Sequence, residues 1–236
     1  RSEGLDVDLT TITTHGDTST ASLAAMGGIG VFASAIRAAL LEGEADIAVH
    51  SFKDLPTGRP LGLAIGAVPV RQDPRDALVA RDGLTLRNLP QEASVGTGSP
   101  RRAAQLLAAR PDLTIVDIRG NVDTRLGRVR GLGRYAKGGG KEDLDAVVLA
   151  ASGLARLGHS DAVTEFLDPS VVLPAPAQGA LAVECRTTDS RHGTLAKALA
   201  KIDDRKTRLA ATAERAVLSH LEAGCAAPIG ALAQLN

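Results

Sequence analysis

Two arginines stand at the predicted start of a helix, directly after a short apolar run. The run covers Ala93–Thr97, and Ser99-Pro100-Arg101-Arg102 follows it. Serine is a favoured N-cap residue and proline is favoured at the first helical position, so this pattern predicts a helix that begins at Pro100. Free N–H groups and the macrodipole attract anions to a helix start, and arginine adds a forked donor that matches a carboxylate or a phosphate. The pattern therefore predicts an anion-binding site.

A second segment has the same organisation. The apolar run Leu113–Ile118 is followed by Arg119, by Asn121 as the predicted N-cap, and by Arg125. A cation at a helix start is unfavourable unless an anion is present. We therefore expect a ligand, rather than a protein carboxylate, to neutralise these arginines, and their removal to leave the stability of the fold nearly unchanged. Two such sites indicate a ligand with several negative groups, and the alternative is that the arginines lie on solvated helix faces.

The charge distribution favours a small acidic ligand over a nucleic acid. The chain has 27 basic and 27 acidic residues, but residues 99–136 hold eight arginines against three aspartates. A neutral protein with one basic region fits a small anion better than a long polyanion. The chain has only four aromatic residues, three Phe and one Tyr, and so offers no evident platform for stacking bases.

A cation and a carboxylate lie side by side after another predicted strand. The strand, Asp46–Ser51, leads into a segment that carries Lys53 and Asp54 and ends at Pro56. Ligands of open α/β sheets bind beyond the carboxyl ends of strands, so this pair can handle a substrate that passes through a cationic state. The alternative is an ordinary charged turn. The pattern disfavours a Ser-His-Asp triad, because His50 and Ser51 point to opposite faces of an extended backbone.

The two cysteines differ in their settings. Cys185 ends an apolar run, which is typical of a buried small hydrophobic residue. Cys225 follows a predicted helix in a loop of glycine, alanine and proline, where a thiol is accessible and can carry a covalent group; the alternative is a second buried thiol. Two cysteines do not make a disulfide framework, and they indicate a reducing compartment.

Other motifs give little evidence of a function. Gly28–Ala33 matches the letters of a dinucleotide fingerprint, but it follows a helix-like segment rather than a strand. The five histidines are scattered and lack the spacing of metal ligands. No apolar run approaches the length of a membrane-spanning helix. The sequence therefore predicts no metal, no dinucleotide and no membrane partner.

Alternating strands and helices predict an α/β protein. The predicted strands are Leu5–Thr13, Asp46–Ser51, Leu61–Val70, Asp76–Ala80, Ala93–Thr97, Leu113–Arg119, Leu144–Ala150 and Ala180–Arg186. The predicted helices are Phe32–Leu41, Pro100–Ala109, one that begins near Asn121, Ala151–Leu157, Leu195–Ile202 and Arg205–Ala223. Because strands alternate with helices, we expect largely parallel sheets.

Taken together, these residues resemble the hydroxymethylbilane synthase family, also called porphobilinogen deaminases. Order and spacing agree with the family along nearly the whole chain, so the resemblance is specific. The matching motifs are Val49–Pro56, Asp73–Ala77, Val95–Arg102, Ile118–Leu126, Ala151–Gly158, Pro176–Ala180 and Leu221–Gly230.

The resemblance implies a transferase that joins four porphobilinogen molecules, with loss of ammonia, into hydroxymethylbilane in heme biosynthesis. It implies that Cys225 holds a dipyrromethane cofactor through a thioether. It implies that Asp54, beside Lys53, stabilises positive charge at a pyrrole nitrogen and assists proton transfer. The residues that it implies for binding the carboxylates and polar groups of the cofactor and substrate are Ser51, Lys53, Thr97, Ser99, Arg101, Arg102, Arg119, Asn121, Arg125, Arg156 and Gln178.

The family's architecture implies two α/β domains like those of periplasmic binding proteins and a partial third α+β domain that carries the cofactor cysteine. Domain 1 would cover residues 1–70 and 180–198, domain 2 would cover 71–179, and domain 3 would cover 202–236. Relative to the family, both ends of the chain look cut. Ile29 and Ser34 stand where many relatives have lysines. The resemblance also implies a cytoplasmic monomer that binds porphobilinogen and no nucleic acid.

A solute-binding protein of similar two-domain fold is the alternative function. Such a protein would share the crevice and the arginines, but it would need neither Cys225 nor Asp54 beside Lys53. The two functions differ in the mass of the intact protein, because only the enzyme carries two deaminated porphobilinogen units.

Overall fold

The computed structural model describes residues 6–12, 31–58, 60–222 and 227–235. The chain divides into two compact units. The first unit comprises the described parts of Arg1–Arg71, Ala180–Ala226 and Ala233–Asn236, and the second comprises Gln72–Gly179 and Ala227–Leu232. Within the described ranges, no helix is long and apolar enough to cross a membrane.

Eight strands and six α-helices make up the regular structure of the described residues. The strands are β1 (Ile47–Ser51), β2 (Leu63–Ala67), β3 (Asp76–Ala80), β4 (Ser94–Gly96), β5 (Thr114–Val116), β6 (Ala146–Ala150), β7 (Glu165–Phe166) and β8 (Leu181–Arg186). The helices are α1 (Val31–Glu42), α2 (Pro100–Ala109), α3 (Val122–Leu126), α4 (Ala151–Arg156), α5 (Gly193–Ile202) and α6 (Arg205–His220).

The first unit is built on a three-stranded antiparallel sheet in the order β1-β8-β2. The central strand is therefore the last of the three along the chain. On one face of the sheet, Leu199 of α5 packs against Cys185 of β8. On the other face, Leu40 of α1 packs against Ala48 and Leu63. Burying a leucine side chain contributes about 1.5–3 kcal/mol, so these contacts fix both helices on the sheet.

The second unit is built on a five-stranded mixed sheet in the order β5-β4-β6-β3-β7. β4 runs parallel to β5 and β6, and β3 runs antiparallel to β6 and β7. Every residue of β3 is buried. Leu78 and Ala80 enter one core cluster, and Ala77 and Val79 enter another, as the two-residue period of a strand requires. The first residue of this strand is Asp76, a carboxylate with no exposed surface.

The α/β class is confirmed, but the expectation of largely parallel sheets is wrong for the first unit. There β8 brings the chain back from the second unit and enters between β1 and β2 antiparallel to both. In the described part of the second unit, parallel pairing joins β4 to its two neighbours and occurs at the isolated bridge between Val129 and Leu144. The described part of the predicted strand Leu5–Thr13, residues 6–12, contains no strand.

The predicted helix caps are confirmed. Ser99 caps α2, where its hydroxyl accepts from the N–H of Arg102 at 3.5 Å, and Pro100 is the first helical residue. Asn121 caps α3, where its side-chain oxygen accepts from the N–H of Thr124 at 2.8 Å. These local patterns therefore fix where each arginine-rich helix begins.

The division into three domains stays a prediction.

Candidate functional site

The predicted catalytic turn lies at the end of β1. Ser51 is the last residue of the strand, and a short 3-10 turn, Phe52–Asp54, follows it. The first N–H of this turn donates to the carbonyl of Ala180 at 3.0 Å. Ser51 and Lys53 are half-buried, and Asp54 is exposed. The carboxylate of Asp54 is thus accessible to a bound molecule, as expected for a group placed where a strand ends.

Sequence reasoning missed the residue that supports this turn. Arg215 on α6 donates to backbone carbonyls of the turn, and its guanidinium lies 4.5 Å from the centroid of the Phe52 ring. Burial lowers the pKa of Arg215 from its ordinary value. Arg215 is 163 positions from Phe52 along the chain, so no local pattern could indicate the contact.

In the second unit, two of the predicted arginines meet at one buried carboxylate. Asp76 Oδ2 accepts from Nη2 of Arg101 at 2.8 Å, and Asp76 Oδ1 accepts from Nη2 of Arg102 at 2.7 Å. The side-chain amide of Gln178 donates to the same Oδ1, also at 2.8 Å. Burial alone would raise the pKa of the Asp76 carboxyl, but the two guanidinium groups and the amide hold it below its ordinary value.

Arg101 and Arg102, which we call the inner arginines, are only 4% and 6% exposed. Arg101 also donates to the carbonyl of Leu173, and Arg102 also donates to the carbonyl of Val148. The expectation that no protein carboxylate neutralises these two arginines is therefore wrong. Asp76 is the anion at this helix start, although one carboxylate balances only one of the two positive charges.

Arg119 and Arg125, which we call the outer arginines, have a different setting. Both are half-buried, and within the described part of the chain neither forms a salt bridge. Arg125 donates to the carbonyl of Gly120 at 2.7 Å. Burial lowers the pKa of Arg125, and the nearby charges of Arg102 and Arg119 lower it further. The positive charges of Arg102, Arg125 and Arg119 therefore lie close enough to repel one another.

The position of Arg125 differs from the prediction. α3 has five residues and ends at Leu126, so Arg125 lies in the last helical turn rather than at a helix start. The macrodipole favours a cation there, and the argument from an unfavourable helix start does not apply to this residue. The helix is short because the chain leaves it for a bridge between Val129 and Leu144.

The predicted hydrogen-bonding residues divide into two kinds. The hydroxyl of Thr97 accepts from the N–H of Ser99 at 3.2 Å, and the Ser99 hydroxyl accepts at the helix cap. Each hydroxyl keeps its own hydrogen for a ligand. Gln178 is different, because its amide donates to both Pro74 and Asp76 and has no hydrogen left to donate. Gln178 therefore holds Asp76, and its predicted hydrogen bond to a ligand stays a prediction.

Four further predicted positions have different outcomes. Arg156 is exposed, and it donates to the carbonyl of Gly179 at 3.0 Å. Cys185 is a fully buried free thiol, as predicted, and burial raises its pKa. Cys225 and Ile29 lie outside the described residues. In the described ranges, no group of three or more His, Cys, Asp or Glu residues could hold a metal ion.

Comparison with protein families gives two matches. Residues 1–194 match the family described as porphobilinogen deaminase, dipyromethane cofactor binding domain. Residues 208–236 match the porphobilinogen deaminase C-terminal domain. The first match alone covers more than half of the chain.

Curated relatives agree with these matches. A porphobilinogen deaminase of Cutibacterium acnes is 94% identical over 236 residues, which is 100% of this chain and 71% of that protein. A porphobilinogen deaminase of Leifsonia xyli is 60% identical over 237 residues, which is 100% of this chain and 69% of that protein.

The solved structures that the chain matches include a periplasmic substrate-binding protein and a lipoprotein. A substrate-binding protein of an ABC transporter from Coxiella burnetii has a TM-score of 0.44 and 15% identity, and the match covers 78% of this chain and 80% of that one. Immunogenic lipoprotein A from Vibrio vulnificus has a TM-score of 0.43 and 13% identity, and the match covers 90% and 88% of the two chains.

Proposed function

This chain belongs to the porphobilinogen deaminase family, and we propose that it condenses porphobilinogen, with loss of ammonia, into the linear tetrapyrrole hydroxymethylbilane. It is a transferase of tetrapyrrole biosynthesis. The observation that carries the proposal is the cluster of guanidinium groups at one place in the second unit. There the inner arginines share one buried carboxylate, and the outer arginines extend the same cluster with no salt bridge among the described residues.

The substrate explains why so many guanidinium groups are needed. Each pyrrole ring brings two carboxylates, so a growing chain of rings accumulates negative charge. Guanidinium groups bind carboxylates through two parallel hydrogen bonds, which orients the ring as well as attracting it. The outer arginines and Arg156 supply such groups with donors that the protein has not used on carboxylates. Hydrogen bonds with Thr97, Ser99, Asn121, Gln178 and Ser51 would add to this orientation.

The same residues fit the dipyrromethane cofactor of the family. Two linked pyrrole rings carry several carboxylates, and the inner arginines retain one positive charge that Asp76 does not balance. When bound, dipyrromethane supplies the pyrrole carbon to which the first substrate ring is joined. We propose that Cys225 holds it through a thioether, and that the residues which bind its carboxylates are Arg101, Arg102, Arg119, Arg125 and Arg156.

Asp54 is the carboxylate we assign to the chemical step. Loss of ammonia leaves a substrate with positive charge on its pyrrole ring, and an anionic oxygen fixed near the ring nitrogen stabilises that charge. The exposed position of Asp54 allows it to approach a substrate and to accept or return a proton. Lys53, next to it on the turn, would bind a substrate carboxylate.

Asp54→Asn tests the assignment, because it keeps the shape of the side chain and removes its charge. We expect turnover to fall by about 10²–10³, the effect of losing one electrostatic contact to a transition state. The measurements are the rate of porphobilinogen consumption, the release of ammonia and the mass of the intact protein. A folded Asp54→Asn protein with normal turnover would exclude Asp54 from catalysis.

The function itself is tested by the unsubstituted protein. We expect an intact mass that is larger than the chain by two deaminated porphobilinogen units, and we expect release of a linear tetrapyrrole on addition of porphobilinogen. An unmodified mass together with no consumption of porphobilinogen would favour a binding protein. Cys225→Ala should abolish the mass increment, and Cys185→Ala, which alters a buried thiol, should preserve it.

We also propose that the protein acts as a cytoplasmic monomer. The family resemblance and the small number of cysteines support this proposal. Sedimentation equilibrium of the cofactor-loaded protein measures the oligomeric state, and a mass twice that of one chain would contradict the monomer.

A further inference from the structure

Arg215 makes three hydrogen bonds to one short stretch of backbone. Its Nη1 donates to the carbonyls of Phe52 and Leu55, both at 2.8 Å, and its Nη2 donates to the carbonyl of Pro56 at 2.7 Å. Its guanidinium also stacks on the ring of Phe52. One side chain thus determines the path of the chain immediately before and immediately after Lys53 and Asp54.

Two backbone hydrogen bonds hold the turn besides those from Arg215. Inside it, the N–H of Leu55 donates to the carbonyl of Phe52 at 3.4 Å, which is long for such a bond. The other backbone bond that anchors the turn is the one from Phe52 to Ala180. A three-residue 3-10 turn with one weak internal bond does not fix its own geometry, and the three hydrogen bonds from Arg215 restrain it on both sides.

The side chain that restrains the turn is a buried cation. Arg215 is 9% exposed, and in the described part of the chain it forms no salt bridge with a carboxylate. Burial of a guanidinium without an anion is unfavourable, and it lowers the pKa of Arg215. An apolar residue would fill the same space on α6 without the free-energy cost of burying a charge. We therefore infer that the arginine is needed for its hydrogen bonds to the carbonyls of the turn.

We propose that Arg215 is a positioning residue that fixes the Phe52–Asp54 turn and thereby holds the carboxylate of Asp54 at its working position. The inference rests on the role that we propose for Asp54. Arg215 stands on the helix that ends five residues before Cys225 in the sequence. The helix that leads to the cofactor cysteine therefore also sets the geometry of the catalytic turn.

The first test compares two arginines of α6 in the cofactor-loaded enzyme. Arg215→Met removes the hydrogen bonds to the turn and keeps the aliphatic stem. Arg208→Met is the matched control, because Arg208 donates to the carbonyls of Ile65 and Gly66 and does not contact the turn. Both variants should lower the melting temperature. Arg215→Met alone should lower kcat, by about 10–100-fold, as expected for a reacting group displaced by up to 1 Å.

A conservative variant keeps the test valid if Arg215→Met does not fold. Arg215→Lys retains the charge and reaches some of the three carbonyls, but it lacks the planar fork. We expect kcat for this variant to lie between those of the unsubstituted enzyme and Arg215→Met, with KM within about twofold of its original value. A loss confined to KM, or an unchanged kcat in folded Arg215→Lys and Arg215→Met proteins, would overturn the proposal.

A double-mutant cycle separates this inference from the role of Asp54. If Arg215 acts through Asp54, Arg215→Met will lower kcat in the original enzyme but not in the Asp54→Asn background, while the melting temperature falls in both. Equal fold-losses of kcat in the two backgrounds would mean that Arg215 acts elsewhere, and would overturn the proposal. Normal turnover in Asp54→Asn alone would instead refute the role of Asp54.

Discussion

The inner and outer arginines have the same side chain but differ in their burial and in their contacts with protein carboxylates. Arg101 and Arg102 are buried, they share Asp76, and they donate to backbone carbonyls as well. Arg119 and Arg125 are half-buried and form no salt bridge within the described ranges. The comparison teaches that an arginine-rich sequence can contain two settings: the inner arginines share a carboxylate of the folded core, and the outer arginines keep their donors free of protein carboxylates within the described ranges.

Removal of Asp76 should give the largest effect. Asp76→Asn leaves two buried guanidinium groups without a carboxylate, and breaking a buried ion pair in this way costs about 3–5 kcal/mol. We expect the free energy of unfolding, measured in denaturant, to fall by that amount and cofactor loading to fail. Asp117→Asn is the control, because Asp117 is exposed and lies near the outer arginines. That variant should stay within about 0.5 kcal/mol of the original protein. Similar free energies of unfolding for Asp76→Asn and Asp117→Asn would contradict the distinction between the inner and outer arginines.

Removal of an outer arginine should affect binding rather than stability. Arg119→Leu should change the free energy of unfolding of the cofactor-free protein by a few tenths of a kcal/mol at most. It should weaken the binding of cofactor and substrate carboxylates by about 1.5–3 kcal/mol, the value of a hydrogen bond to a charged group. Arg119→Lys should restore only part of this, because lysine lacks the fork.

Melting temperature, intact mass and the rate of tetrapyrrole formation measure these effects of Arg119. Arg87→Leu is the control, since Arg87 is an exposed arginine of the same unit outside the site. A large drop in melting temperature for Arg119→Leu, with chain elongation intact, would show that Arg119 is a structural residue like the inner arginines.

The smallest predicted effect is a difference in acid sensitivity. The pKa of Asp76 is lower in the folded protein than its ordinary 3.8, so the unfolded chain binds more protons in this range. The stability that Asp76 contributes is present above pH 3.8 and is lost as the pH falls through the folded pKa. Unfolding free energies measured from pH 5 to pH 2 should fall less steeply for Asp76→Asn than for the original protein. Arg119→Leu should keep the original slope, and a slope that follows Arg119 instead would contradict the comparison.

Local signals in the sequence predicted the elements that carry the site. Ser99 and Asn121 were identified as caps from their types and positions, and α2 and β3 have the predicted bounds. Caps and strand ends are encoded within a few residues, so a single sequence is enough to find them. The exposed turn at Asp54 follows from the same logic, because it needs only the end of β1.

The partners of the site residues could not be predicted in this way. Asp76 meets Arg101 and Arg102 across 25 and 26 positions, and Gln178 across 102. Arg215 meets the turn across 159–163 positions. Such contacts depend on how strands are arranged in the sheets, and alternation of strands and helices predicts the wrong strand direction for the first unit. The function of Arg119 as a ligand-binding residue stays a prediction for the same reason: its partner is not part of the described chain.

The central position of β8 has a consequence for the order in which the protein folds during synthesis. β1 and β2 flank β8 and do not pair with each other, so the sheet of the first unit cannot form until residue 186 has left the ribosome. The strands of the second unit lie together within Gln72–Gly179, and their sheet is complete earlier. Pairing across long separations is slow because the loop must close first. The sheet of the first unit is therefore completed after the sheet of the second unit. In the nascent protein, β1 and β2 are synthesised before β8, the strand with which both of them pair.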